Sequence, residues 1–106
     1  MATGTVQMPL NAAVANIDLR DIQLRTSADI DTFRDGGVYF IFGGTNLPAN
    51  QNGVVIVLEM VRQSTTYLKQ FFIGVATANP GVIWMRSTNG KTSAWQSWYK
   101  FEGTAS

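Results

Sequence analysis

Residues 84–101 constrain the fold more than any other stretch of the chain. They hold all three tryptophans, Trp84, Trp95 and Trp98, and an Asn89-Gly90 pair set between two apolar runs. Asn-Gly readily supplies the positive φ angles of a tight hairpin turn, so the pattern reads as strand, turn and strand. Indole gathered into one hairpin has two uses in a small protein. It builds a β core, or it makes a flat platform for a sugar.

The segments before this hairpin are also strand and turn. Val38-Tyr39-Phe40-Ile41-Phe42 is rich in β-formers. Val54 to Val61 is almost continuously apolar, as in a central strand covered on both faces. Tyr67 to Val75 reads as another strand, and Val82 to Arg86 pairs with Trp95 to Phe101 in the last hairpin. Loops of Gly, Asn, Pro and Gln separate them at residues 43–53, 63–66 and 79–81. Thr26-Ser27-Ala28-Asp29 resembles a helix start, and Asp35-Gly36-Gly37 ends the turn that follows. The expected fold is all-β: a small antiparallel meander of about five strands, with a short helical turn near residues 28–34. Residues 1–26 read as an N-terminal connecting or oligomerisation segment and 27–106 as the β domain. Within the former, Ile17 and Leu19, and again Ile22 and Leu24, alternate with polar residues as in short strands or an extended tract packed against another subunit, and a short helix over Asn11 to Ile17 is the alternative.

Several chemistries are removed by the residues themselves. The chain of 106 residues has no cysteine and no histidine, so thiol catalysis, disulfides and the commonest general base and metal ligand are missing. No motif calls for a cofactor. Eight basic and seven acidic residues give a net charge of +1 with no basic cluster, so a nucleic-acid footprint is not expected. No apolar run reaches the length of a membrane span, so membrane insertion is not expected. Met1 to Thr5 lacks the layout of a signal peptide, and exit by lysis or inside an assembly is the expectation. Charged residues make up only 14% of the chain, which suits a neutral polar partner or a symmetric oligomer.

Individual side chains each carry a plain and a sharper reading. Trp95 and Trp98 are three apart, which in a strand sends them to opposite faces, one indole inward and one outward. Trp84 and Arg86 share a face, as a packed pair or as an aromatic-plus-guanidinium site. Gln70 lies in an apolar segment, where a buried amide must find partners and most often holds a loop backbone. Asn46-Leu47-Pro48 sits in the longest loop, as a simple turn or a binding tip. Asp29, Asp31 and Asp35 cluster where turns favour Asp, and the later acids are Glu59 and Glu102, so no carboxylate pair suggests a glycosidase.

Ala28 to Phe101 resembles the pyocin-knob domain of R-type pyocin fibres and bacteriophage tail fibres. The resemblance runs through Asp29-Ile30-Asp31-Thr32-Phe33 before Gly37-Val38-Tyr39, then Asn46-Leu47-Pro48, then Gly53 to Val57 followed by Gln70. It ends with Trp84-Met85-Arg86-Ser87-Thr88, Gly90 and Trp95-Gln96-Ser97-Trp98. Gly36 replaces the family's usual proline, and Met60, Val61 and Arg62 depart from its pattern. The resemblance implies a non-enzymatic, homotrimeric virion knob, outside the cell after lysis. Its implied partners are host polysaccharide or lipopolysaccharide and other tail proteins. The candidate carbohydrate-binding residues are then Trp84, Arg86, Trp95, Tyr67 and Asn46. Trp98, Tyr39, Gln70 and Phe101 are the expected core or interface residues. The alternative is a structural virion part, such as a fibre tip, spacer or decoration protein, that binds no ligand.

Overall fold

The structure, a computed structural model, describes residues 22–76 and 80–106. Its described residues form one six-stranded sheet in sequential order. The strands are β1 (Gln23–Asp29), β2 (Gly37–Thr45), β3 (Gly53–Arg62), β4 (Thr65–Gly74), β5 (Val82–Asn89) and β6 (Tyr99–Glu102). A single 3₁₀ turn, Ile30–Thr32, stands between β1 and β2. The all-β class is as expected, with six strands where about five were anticipated. The expectations for residues 11–19 lie outside the described residues, as does part of the 79–81 turn.

The strands from β2 to β6 form an antiparallel meander, but β1 lies parallel to β2. Gln23 to Thr26, expected in the connecting segment, therefore belong to the sheet edge. The β1–β2 ladder is interrupted between the pairs Thr26–Phe42 and Ala28–Gly44. The skipped residues, Ser27 and Gly43, both have left-handed backbones, at φ 51° and 59°. The paired irregularity rotates the strand ends, and Ala28 packs on the core.

One face of the sheet is covered. Residues paired across strands share a face. Tyr39, Ile41, Val55, Val57, Phe72, Val82 and Trp84 project into the covered side and are buried. Ile30 and Phe33 descend on them from the 3₁₀ turn, Leu47 and Ala49 from the β2–β3 loop, and Trp98 from the β5–β6 connection. Phe72, Ile41, Val55 and Ile30 are wholly buried, each worth roughly 1.5–3 kcal/mol of transfer free energy. The backbone approaches this core closely at Gly53, where a side chain would stand 2.7 Å from both the Ile73 carbonyl and the Phe72 ring. We call this covered side the inner face.

The last hairpin is wider than expected. Met85 pairs with Tyr99 and Val82 with Glu102, so residues 90–98 form a long connection and Asn89-Gly90 does not close a two-residue turn. Its own hydroxyls hold it: Ser93 donates to the Asn89 carbonyl and Thr88 to that of Ala94, each at 2.8 Å. Trp95 and Trp98 lie in this connection, before β6. The alternation that would have sent them to opposite faces does not operate there.

Candidate functional site

The side chains that the sequence singles out converge on the 3₁₀ turn. Asp29 caps it, its Oδ1 accepting from the Asp31 amide at 2.9 Å. The cap fixes Asp31 with its carboxylate over the end of the sheet. There Asp31 Oδ1 meets Arg86 Nη2 at 2.8 Å. Asn46, held at φ 61°, donates its amide to Asp29 Oδ1 at 2.9 Å and to Asp31 Oδ2 at 3.1 Å. The Asp31 carbonyl accepts from Trp95 Nε1 at 3.0 Å and Arg34 Nε at 3.1 Å.

Arg86 is the buried centre of this group. Its guanidinium lies 4.5 Å from the Trp95 ring centroid and 4.3 Å from that of Trp98. Its Nε donates to Gln70 Oε1 at 2.9 Å. Gln70, completely buried, donates in turn to the carbonyls of Ile30 and Phe33 at 2.7 and 3.0 Å. One amide thus joins the sheet, the 3₁₀ turn and the arginine. Burial pulls the Arg86 guanidinium below its ordinary pKa, while the Asp31 carboxylate opposes that pull. Arginine remains charged under such conditions, so the buried cation is balanced by one carboxylate and two indole faces.

A smaller ionic cluster flanks the first. Lys91 Nζ lies 2.7 Å from Asp35 Oδ1 and 2.8 Å from Glu59 Oε2, and donates to the Arg34 carbonyl at 2.8 Å. The other Glu59 oxygen accepts from the Gly36 amide at 2.9 Å. Hydrogen bonds donated by Lys91 to these carboxylates hold its pKa above the ordinary value, the one to Asp35 contributing most. The bond from Lys91 lowers that of Glu59. Nearby, burial raises the Tyr39 pKa, and the Asp35 charge adds to it. Tyr39 donates its hydroxyl to the Asp35 carbonyl at 2.7 Å.

The five candidate sugar-binding residues do not form one surface. Arg86, Trp95 and Asn46 come together at Asp31, but each is engaged with the fold. Two guanidiniums lie over the Trp95 ring, that of Arg34 at 4.9 Å and that of Arg86. Trp84 is a core residue, 6% exposed and packed on Phe72, and presents no face to a ligand. Tyr67 projects from the opposite side of the sheet, paired with Met60 and Asn89. Of the expected core or interface residues, Tyr39, Gln70 and Trp98 lie on the inner side, whereas Phe101 is not in the core and is 54% exposed. Asp31, Arg34 and Lys91 had no assigned role. Asp31 is the hub of the whole group, and its only local signal is the cap that precedes it.

Among the described residues, every buried side-chain nitrogen and oxygen has a hydrogen-bond partner. The Arg86 cluster is therefore internally complete and aims no buried polar group at a missing ligand. Three or more acidic side chains do not gather as a metal site among these residues. A shallow cleft lined by Pro80 to Val82 and Glu102 to Ala105 lies away from the cluster. Comparison with protein-family models, with curated proteins and with solved structures gives no match.

Proposed function

We propose that this chain is a non-enzymatic knob-like module of a phage or pyocin fibre, in which the tryptophan–arginine cluster serves the domain's own architecture. The resemblance across Ala28 to Phe101 supports the fibre assignment. One observation carries the structural role. Trp84 is buried, and Trp95 and Trp98 turn onto Arg86, leaving none of the three as an open platform. A spacer, tip or decoration role follows from a domain whose most distinctive side chains hold its loops to its sheet.

Attachment to a host polysaccharide or lipopolysaccharide is the second reading, and Tyr67 favours it. The residue is 42% exposed and pairs with Asn89, an aromatic side chain next to an amide on the outer side of the sheet.

Gold-labelled antibody against the chain, applied to particles released by cells that carry its gene, tests the assignment. Label on a fibre or its tip supports it, and particles without label overturn it. Depletion of the purified chain by lipopolysaccharide-bearing cells, abolished by Tyr67→Ala, would move the role from structure to attachment.

A further inference from the structure

The outer face of the sheet is nearly as apolar as the inner one. Cross-strand register runs Val38–Ile56–Phe71–Met85–Tyr99 through five strands as one apolar row. A parallel row, Leu24–Phe40–Val54–Ile73, crosses the first four. An antiparallel sheet with one face in water shows polar residues on that face. Among the described residues, the loop side chains that pack on the sheet, Leu47, Ala49 and Trp98, do so against the inner core. Leu24, Leu58, Ile83 and Phe101 are left between 41% and 60% exposed.

We infer that this face is closed by another copy of the same chain, packed sheet to sheet. Size is the first argument. Six strands about 4.8 Å apart and some 25 Å long present on the order of 700 Å², close to the roughly 800 Å² per partner of a stable interface. Charge is the second. The face carries Lys69, whose Nζ is tied to Ser87 Oγ at 3.0 Å, and Arg62 at the hairpin end. A face so poor in charge meets its own copy with little repulsion, whereas an acidic partner or an anionic membrane would call for a basic surface. A patch of this extent is beyond the scattered apolar residues of ordinary monomer surfaces. The inference rests on the sheet alone and holds whether or not the chain belongs to a fibre.

Light scattering between about 1 and about 100 µM tests it by mass action. The intact chain should show a multiple of its 11.6 kDa mass. Leu58→Lys with Ile83→Lys, two charges on the outer face, should weaken association by at least about 10-fold. Val61→Lys is the control, because Val61 is 66% exposed but belongs to the inner register at the hairpin tip. It should leave the mass unchanged. Near-ultraviolet circular dichroism of the indoles on the opposite face reports that the variants remain folded. A monomeric intact chain overturns the inference, as does an unchanged mass in the double variant.

A second measurement does not depend on the charged variants folding. The chain lacks cysteine, so Ser87→Cys places a single thiol on the outer face. Protection from maleimide at high concentration that is lost on dilution supports a second copy. Protection at every concentration in a chain whose scattering mass is that of a monomer would mean that the chain covers its own face. Reactivity at every concentration would mean an open face. Either of these overturns the inference, and neither bears on where gold-labelled antibody binds.

Discussion

Arg86 and Asp31, 55 positions apart, are joined by a 2.8 Å ion pair whose two partners differ in exposure, the Arg86 side chain at 6% and that of Asp31 at 40%. The asymmetry decides which partner is costly to lose. Removing Asp31 leaves a nearly buried cation with only Gln70 and two indoles, whereas removing Arg86 leaves a carboxylate that water can reach.

Asp31→Ala is therefore expected to destabilise the chain by about 2–3 kcal/mol, below the ~3–5 kcal/mol of a fully buried pair because the carboxylate is partly screened. Asp31→Asn keeps an acceptor and should cost about half as much. Urea unfolding followed by tryptophan fluorescence reads both. Equal losses in the two variants would show that the charge contributes nothing.

Gln70→Leu preserves volume but removes three hydrogen bonds. The carbonyls of Ile30 and Phe33 lose their donor, and Arg86 Nε loses its acceptor. Unsatisfied buried groups cost about 1–3 kcal/mol each, and partial relaxation brings the expected total to about 3 kcal/mol. Amide hydrogen exchange should rise first in the 3₁₀ turn, which this amide holds to the sheet. Uniform exchange across all six strands would contradict that local role.

The limits of legibility follow from the same contacts. β3 and β4 were readable because Val54 to Val61 and Tyr67 to Val75 are dense in β-formers and bounded by turn residues. The inward side of Trp84 and Arg86 follows from simple alternation along β5. β1 was legible only as an alternation of Ile22 and Leu24 with polar residues that fits a short strand; its place in the sheet was not, since Gln23-Leu24-Arg25-Thr26-Ser27 is mostly polar and pairs in parallel at an edge, where little burial is demanded. Trp95 and Trp98 were misplaced because a strand was assumed where Ser, Thr and Gly support a long connection. The Asp31 hub had no local signature beyond the Asp29 cap, because most of its partners come from distant residues, 46, 86 and 95.

The tryptophans should separate by their surroundings. Trp84→Ala empties a core site and is expected to cost about 3–5 kcal/mol. Trp95→Ala removes a half-buried ring, one hydrogen bond and its contact with two arginines, for about 1–3 kcal/mol. Tyr67→Ala, on the outer face, should change the stability of a single folded chain by no more than about 0.5 kcal/mol. Denaturation at low protein concentration ranks the three. A Trp95 variant as damaging as the Trp84 one would place the cluster, and not the inner core, at the centre of stability.

Stability should fall at both ends of the pH range and stay level between them. Lys91 and Tyr39 have folded pKa values raised above their ordinary 10.5 and 10.0. A raised value means that the folded state holds its proton more tightly. Their contributions are therefore complete below those ordinary values and are lost as pH rises through the folded ones. Glu59 behaves oppositely. Its folded value lies below the ordinary 4.5, so its contribution is complete above 4.5 and disappears as pH falls through the folded value. With no histidine in the chain, no imidazole titrates between these limbs. Urea midpoints measured from about pH 3 to about pH 11 should show a plateau from about 6 to 9. Lys91→Met should flatten both limbs, because it removes the group that titrates in alkali and the cation that lowers Glu59. A step near pH 6.5, or an alkaline limb untouched by Lys91→Met and Tyr39→Phe together, would contradict this assignment.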